Sequence, residues 1–218
     1  MLPRGVVVAN SGRKQPPFRA ILGLGFLLLL GSCMPPGEPV SEGITPTELP
    51  LQTPTSRSLW RLETRKGTLE IRPRFEYDIS GIVLSTRRYR FDDLAFLSPF
   101  DVALAWGPLA AEDRWQALTV SQNWRFYFWR TDVLPLPERE ITRFSANVHI
   151  IPAGPEIPKA LAWLRRGEPV RLKGVLVDVF GKGFRWTTSV TREDSGDGGC
   201  EVLWTETVHF RSRIVESH

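Results

Sequence analysis

The sequence predicts a mainly β (α+β) fold: a small, barrel-like antiparallel sheet, of which an OB-like fold is one form, with one helix near residues 156–166. Many segments alternate polar and apolar residues or are rich in β-branched and aromatic residues, as strands are. A glycine inside a long strand candidate, such as Gly174, suits a small barrel whose strands must bend. A helix between early and late strands is the order of OB-type folds.

The early strand candidates lie before the helix, at residues 68–72, 75–86, 124–130 and 145–152, and a short apolar segment at residues 101–106 is ended by Gly107-Pro108. Pro73 separates the first two candidates, and Gly81 indicates a bulge or a tight bend in the second. The segment Trp124-Arg-Phe-Tyr-Phe-Trp-Arg130 is dominated by aromatic residues and predicts a strand buried on both faces.

The helix is predicted by apolar residues at positions i, i+3, i+4 and i+7, which are Ile157, Ala160, Leu161 and Leu164. Pro158 lies near its start and Gly167 follows its end, as is typical of helix boundaries. Three late strand candidates follow, at residues 170–180, 184–191 and 200–210. A tight hairpin at residues 181–183 joins the first two, and a Gly- and Asp-rich loop at residues 192–199 joins the last two.

The first 33 residues have the three-part layout of a secretory signal: a basic start, an apolar run and small residues before a cysteine. The apolar run covers residues 20–32, which is about 20 Å of helix, whereas a bilayer core is about 30 Å thick. It therefore suits a signal peptide better than a membrane span. Cleavage without lipid and an uncleaved short anchor are the alternatives.

The end of this run, Leu30-Gly31-Ser32-Cys33, resembles the lipobox of bacterial lipoproteins. The resemblance implies cleavage before Cys33 and lipidation of Cys33, with acyl chains such as palmitate, which would anchor the chain to a membrane. It implies an extracytoplasmic location in the cell envelope. Met34, in place of an aspartate after the cysteine, favours the outer membrane where the cell has two membranes.

These boundaries divide the chain into a signal peptide at residues 1–32, a lipidated Cys33 with a Pro-rich disordered tether to residue 56, and one β-rich domain at residues 57–218. The chain has 28 Lys and Arg against 24 Asp and Glu. Four of the basic residues and none of the acidic ones lie in the first 33 residues, so the remainder is balanced. The overall charge therefore gives no support to nucleic acid as a partner.

Cys200 and His149 are the candidates for a catalytic pair. An imidazole in contact with a thiol promotes the thiolate, and Asn147 or Asp194 is a candidate for orienting the ring. Against this, no nucleophile motif surrounds Cys200, and cysteine is among the most buried residue types. The competing interpretation is a buried structural thiol.

Asp194 and Asp197 are candidate metal ligands, because an Asp- and Gly-rich loop suits Ca²⁺. The EF-hand spacing is absent, so an ordinary loop between strands is the favoured interpretation. The three histidines have no ligand spacing, and we expect neither a metal nor another cofactor. The aromatic segment offers Trp124, Arg125, Tyr127 and Trp129 as ligand-binding candidates that would stack on a glycan or on bases.

Four segments together resemble bacterial envelope proteins of unassigned function, and they begin at Asp101, Ser121, Ser145 and Thr191. That resemblance implies an envelope-associated domain and supplies no catalytic residues. The sequence therefore favours a cell-envelope lipoprotein that acts as a binding or structural module, with an envelope protein or a glycan as its ligand. The alternatives are a thiol-dependent hydrolase or transferase that uses Cys200 and His149, and an OB-like domain that binds oligonucleotides or glycans.

Overall fold

A computed structural model describes residues 43–191 and 200–217. The predicted signal peptide, Cys33, and both Asp194 and Asp197 lie outside the described residues. The strands, in chain order, are β1 (Leu51–Pro54), β2 (Trp60–Thr64), β3 (Gly67–Arg88), β4 (Phe100–Ala105), β5 (Thr119–Asn123), β6 (Phe126–Arg130), β7 (Ser145–Pro152), β8 (Pro169–Gly181), β9 (Phe184–Trp186), β10 (Val202–Phe210) and β11 (Arg213–Glu216). The helices are α1 (Gly107–Ala110), α2 (Glu138–Arg143) and α3 (Glu156–Leu161), and a 3₁₀ segment covers Ala111–Ala117.

The main sheet confirms the prediction of a mainly β fold with few helices. Within the described residues it has nine strands in the order β1-β3-β4-β7-β10-β8-β9, with β2 added to β3 and β11 added to β10. The long strand β3 also pairs with β8, so β3, β4, β7, β10 and β8 form a closed ring of five strands. The remaining strands, β5 and β6, form a separate hairpin.

One pair of strands departs from the predicted antiparallel arrangement, because β10 pairs with β7 in parallel. A parallel pair needs a long crossover connection. Here the chain between the two strands contains α3, β8 and β9, which provides it.

The largest hydrophobic core takes buried side chains from all five strands of the ring and from α3. Alternate residues of a strand point to opposite faces, so each ring strand also has a second face. On that face the β5–β6 hairpin and α2 pack through Tyr127, Trp129 and Ile141 against Ala103 and Ala105 of β4. This second face, between β4, β7 and the hairpin, holds the polar residues described below.

Close packing between strands explains two of the glycines singled out in the sequence. A Cβ atom on Gly174 would lie 1.9 Å from the carbonyl oxygen of Trp204, next to a bulge between Thr205 and Thr207. A Cβ atom on Gly81 would lie 2.9 Å from the carbonyl oxygen of Ala105. The bulge predicted at Gly81 is found two residues further on, between Val83 and Ser85.

Several boundaries differ from the prediction. Pro73 does not end a strand: β3 continues through it with a register shift, because a bulge accommodates a residue that has no N–H to donate. The tether predicted to reach residue 56 is wrong at its C-terminal end, because β1 (Leu51–Pro54) pairs with β3 and Ile44 is buried. No helix in the described part of the chain is long and apolar enough to cross a membrane.

Candidate functional site

A row of polar side chains lies between β4 and β7 on the face that the β5–β6 hairpin covers. Asp101 of β4 pairs with His149 of β7, and Ala103 pairs with Asn147. Directly opposite residues of antiparallel strands place their side chains on the same face. The pairing therefore brings Asp101, Asn147 and His149 together, and all three are buried.

Asp101 orients the ring of His149. Its Oδ1 atom lies 2.9 Å from Nδ1 of His149, and the carboxylate has no exposed surface. Because Nδ1 is engaged by Asp101, Nε2 is the nitrogen left for another partner. The ring of Trp186 packs against the imidazole, with the ring centres 4.9 Å apart.

Cys200 lies beside this imidazole because β10 begins two residues after it. The parallel pairing aligns Val202 with His149, and the backbone N–H of His149 donates to the carbonyl oxygen of Glu201 at 2.8 Å. The side chain of Cys200 is a partner of His149, and a hydrogen bond between the two raises the pKa of His149. Cys200 is free and partly exposed, so the buried structural thiol is not what the structure has.

The charge state of His149 is set by these neighbours. Burial lowers the pKa of His149, but the charge of Asp101 and the hydrogen bonds with Asp101 and Cys200 outweigh it and raise this pKa to about 10. His149 is therefore an imidazolium at neutral pH. It lies between a buried carboxylate and a thiol.

Hydrogen bonds to residues 188 and 189 fix the backbone on both sides of Cys200. The N–H of Ser189 donates to the carbonyl oxygen of Cys200 at 3.0 Å, and the N–H of Val202 donates to Oγ1 of Thr188 at 2.9 Å. The N–H of Thr188 in turn donates to the buried carboxylate of Asp178 at 3.0 Å. These bonds fix the position of Cys200 beside β7.

Arg125 closes the other end of the polar row. It lies in the two-residue turn between β5 and β6, where both Trp124 and Arg125 have positive φ angles, of 57° and 70°. This turn directs the Arg125 guanidinium inwards, where Nη1 donates to Oδ1 of Asp101 at 3.1 Å and Nη2 donates to Asp92 at 2.7 Å. The guanidinium also packs over the ring of Tyr89, at 3.7 Å from the ring centre. Asp101 is thus shared between Arg125 and His149.

Other polar contacts attach the hairpin to β7. Nε2 of Gln122 donates to Oδ1 of Asn147 at 2.7 Å, and Nδ2 of Asn147 donates to Oδ2 of Asp101 at 3.2 Å. The Tyr127 hydroxyl lies 3.1 Å from the hydroxyl of Ser145. The hairpin therefore covers the buried side of the Asp101–His149 pair.

The structure brings Cys200 and His149 together, as the catalytic hypothesis requires, but it changes the third residue. Asn147, expected to orient the ring, contacts Asp101 and Gln122 instead, because the residue opposite His149 in the ladder is Asp101. Asp194, the other candidate for that role, lies outside the described residues.

The aromatic segment is not one exposed platform. Only Phe126–Arg130 is strand, and it is buried on alternate residues instead of on both faces. Tyr127 and Trp129 fill the core below the hairpin, and Arg125 is engaged in ion pairs. Trp124 is the one of the four ligand-binding candidates that is exposed, at 73 % of its surface.

Metal coordination finds no support in the described residues, where no group of three or more His, Cys, Asp or Glu side chains is placed to hold an ion. Asp194 and Asp197 are not among the residues searched.

Sequence reasoning missed Asp101 as part of the site, and it named Arg125 only as a ligand-binding candidate and not as a partner of Asp101. A signal for Asp101 was present, because a carboxylate inside the apolar run Phe100–Ala105 must have a buried partner. No comparable signal marked the contact of Arg125 with Asp101. That contact depends on a left-handed turn at Trp124 and Arg125, where the sequence predicted a strand.

Comparison with known proteins leaves the geometry as the only guide to function. No family model, no curated protein and no solved structure matches the chain.

Proposed function

We propose that the folded part of this chain is a thiol-dependent hydrolase or transferase that acts on acyl groups. Cys200 is the nucleophile, His149 is the acid and base, and Asp101 orients His149. The observation that carries the proposal is the buried Asp101 carboxylate on Nδ1 of His149, with Cys200 as the next partner of the same ring. Nucleophile, base and orienting acid in this order are the arrangement that activates a thiol or a hydroxyl.

In the proposed reaction the sulfur of Cys200, next to His149, reacts as the thiolate, which is the nucleophilic form of a thiol. The sulfur attacks the carbonyl carbon of the substrate, and a C–S bond forms. As the bond to the leaving group breaks, His149 gives its proton to that group, which leaves a thioester on Cys200. Water or an acceptor then attacks the thioester, loses its proton to His149, and releases the thiolate.

The reactivity of Cys200 tests this proposal. In a Cys33→Ser chain, Cys200 is the only cysteine, so alkylation by iodoacetamide reports on it alone. We expect native Cys200 to react at pH 7 at least about tenfold faster than an ordinary thiol, and His149→Gln to abolish that advantage. His209→Gln, which changes a histidine on the far part of β10, is the matched control and should leave the rate unchanged.

A second measurement separates acyl transfer from mere thiol reactivity. After exposure to p-nitrophenyl acetate, intact-mass analysis should find one acetyl group on Cys200, and its loss should slow in His149→Gln. A thiol that reacts only after unfolding, or at equal rates with and without His149, would refute the enzyme. A binding module for an envelope protein or a glycan would then be the better description.

We also propose, from the residues alone, that the chain is exported and held at a membrane of the cell envelope by a lipid on Cys33. The support is the basic start, the short apolar run and the small residues that precede Cys33. This placement is independent of the thiol chemistry, and its own test is argued in the Discussion.

A further inference from the structure

A cationic, aromatic surface lies on the loop after β3, outside the Cys200 site. We define the basic–aromatic surface as five exposed residues on three neighbouring segments: Lys66, Arg87, Arg90, Phe91 and Trp124. Arg88 is not part of it, because neighbouring strand residues point to opposite faces and its guanidinium lies over the ring of Phe100. Phe91 exposes 98 % of its surface and Trp124 exposes 73 %. A pair of large aromatic side chains this exposed beside arginines is a feature that packing of the fold does not require.

Direct contacts hold the three segments together. Nη2 of Arg125, next to Trp124, donates to Asp92, next to Phe91, at 2.7 Å. Nζ of Lys66, in the β2–β3 turn, donates to the carbonyl oxygen of Asp93 at 3.0 Å. The two aromatic tips are therefore one residue away from the same ion pair, and the lysine belongs to the same surface.

The loop that carries Phe91 is fixed. Buried Leu94 and Leu97 anchor it, and Oδ1 of Asp92 accepts the N–H of Leu94 at 2.9 Å. The N–H of Tyr89 donates to the carbonyl oxygen of Pro99 at 2.8 Å, which closes the loop at its base. Phe91 is thus held in solvent by an ordered loop.

The surface carries an excess of positive charge. Asp92 is compensated by Arg125 and Asp93 by Lys66. Within the described residues, Arg87 and Arg90 form no ion pair with an acidic side chain. The charges of these two arginines are therefore uncompensated, although the residues beyond position 33 carry equal numbers of basic and acidic groups.

We propose that the basic–aromatic surface docks on a bilayer that contains anionic phospholipids. Arginines beside an anionic membrane gain from its surface potential, and tryptophan and phenylalanine side chains favour the boundary between headgroups and acyl chains. The uncompensated arginines suit the anionic headgroups, and the two exposed aromatic side chains suit the layer just below the headgroups. The inference goes beyond the thiol chemistry and does not depend on it.

Vesicle binding tests the proposal with the full chain carrying Cys33→Ser, so that no attached lipid drives binding. Its binding to phosphatidylglycerol-containing vesicles is compared with that of the same chain bearing Arg87→Ala and Arg90→Ala. The leader is common to both chains, so the difference reports the surface. We expect the double variant to lose at least about tenfold in partition coefficient, and 0.5 M salt to remove most of the difference.

The aromatic tips are tested by Phe91→Ser with Trp124→Asn, since asparagine tolerates the left-handed turn at position 124. The matched control is Trp163→Ser, which changes a tryptophan that is 56 % exposed but lies elsewhere. We expect the pair to weaken binding and the control to keep it, with thermal unfolding verifying that each variant folds. Hydrogen exchange should show vesicle-dependent protection at residues 86–93 and 123–126.

Three outcomes would overturn docking on anionic lipid. They are equal binding of the parent and of the chain with both arginines replaced, equal loss in the Trp163→Ser control, and vesicle-dependent protection only outside the two segments. Tighter binding of the same surface to a single-stranded oligonucleotide than to the vesicles would reassign it to nucleic acid. None of these results bears on the alkylation of Cys200, so the two proposals fail separately.

Discussion

Asp101 is the residue on which the polar interior depends. Its fully buried carboxylate contacts Arg125, Asn147 and His149, so it compensates one permanent cation and one imidazolium at once. Burying a charge is costly unless it is paired and hydrogen-bonded, and Asp101 is both. We therefore expect Asp101 to contribute to the stability of the fold. In the thiol proposal it also orients the ring of His149.

The substitution Asp101→Asn removes the charge of this side chain and keeps its shape. We expect it to lower the free energy of unfolding by about 3–5 kcal/mol, because it leaves the buried Arg125 with only Asp92 as a counter-charge. We also expect it to slow the alkylation of Cys200, because an amide does not stabilise the imidazolium. Urea unfolding and the alkylation rate measure the two effects. Asp93→Asn, which removes an exposed carboxylate of the neighbouring loop, should change neither.

The raised pKa of His149 makes stability depend on pH in a defined window. The native pKa is about 10, whereas an unfolded histidine titrates near about 6.5, so the native state binds the extra proton between these values. The stabilisation from the imidazolium is complete below about pH 6.5 and is lost as the pH rises towards 10. The difference in unfolding free energy between the parent and His149→Gln should therefore shrink from pH 6 to pH 10. A difference that stays constant or grows would contradict the assigned charge state.

At the scale of the element, sequence patterns predicted what depends on local periodicity. The strand at residues 145–152 agrees with β7 to the residue, and the hairpin at residues 181–183 joins β8 to β9. Alternation and turn residues are local, so a single sequence carries them. The strand at residues 124–130 was predicted two residues too long, because Trp124 and Arg125 adopt left-handed angles that their residue types disfavour.

The candidate site was predictable only in part, for a physical reason. Cys200 and His149 could be proposed from their chemistry, but which carboxylate meets the ring depends on strand pairing. The register between β4 and β7 selects Asp101, and no local pattern encodes a register between segments 40 residues apart or more. The parallel pairing of β7 with β10 is likewise a consequence of the path of the whole chain.

Gly174 tests how tightly the ring of strands is closed at the bulge in β10. Gly174→Ala would put a Cβ atom 1.9 Å from the carbonyl oxygen of Trp204. Because the clash is with backbone, one of the two strands would have to shift. We expect a loss of about 3 kcal/mol or more in unfolding free energy. Gly183→Ala is the control, because nothing lies within 4 Å of its Cβ position and only its positive φ angle is strained. It should cost about 1 kcal/mol. Equal losses in the two variants would show that the close approach at Gly174 is not tight.

At the scale of the whole molecule, the proposals describe a protein with two kinds of membrane contact and one reactive thiol. The acyl chains on Cys33 would anchor the chain, and the basic–aromatic surface would add a second contact with the bilayer. It would also fix the orientation of the domain, because Arg125 connects Asp92, next to Phe91 of that surface, to Asp101 of the site. Docking would therefore hold the Cys200 site in a set direction relative to the bilayer.

Processing of the N-terminus is the prediction that decides whether this arrangement exists in the cell. If residues 1–32 are a lipoprotein signal, the purified membrane form begins at Cys33, carries acyl chains on it, and lacks every residue before it. Intact-mass and peptide analysis of detergent-extracted protein measures this directly. Cys33→Ser should leave the leader uncleaved and the acyl mass absent, whereas Cys200→Ser should be processed as the parent is. A product that retains Met1 and carries no acyl group would remove the anchor, and docking through the arginines would then be the chain's own means of reaching a bilayer.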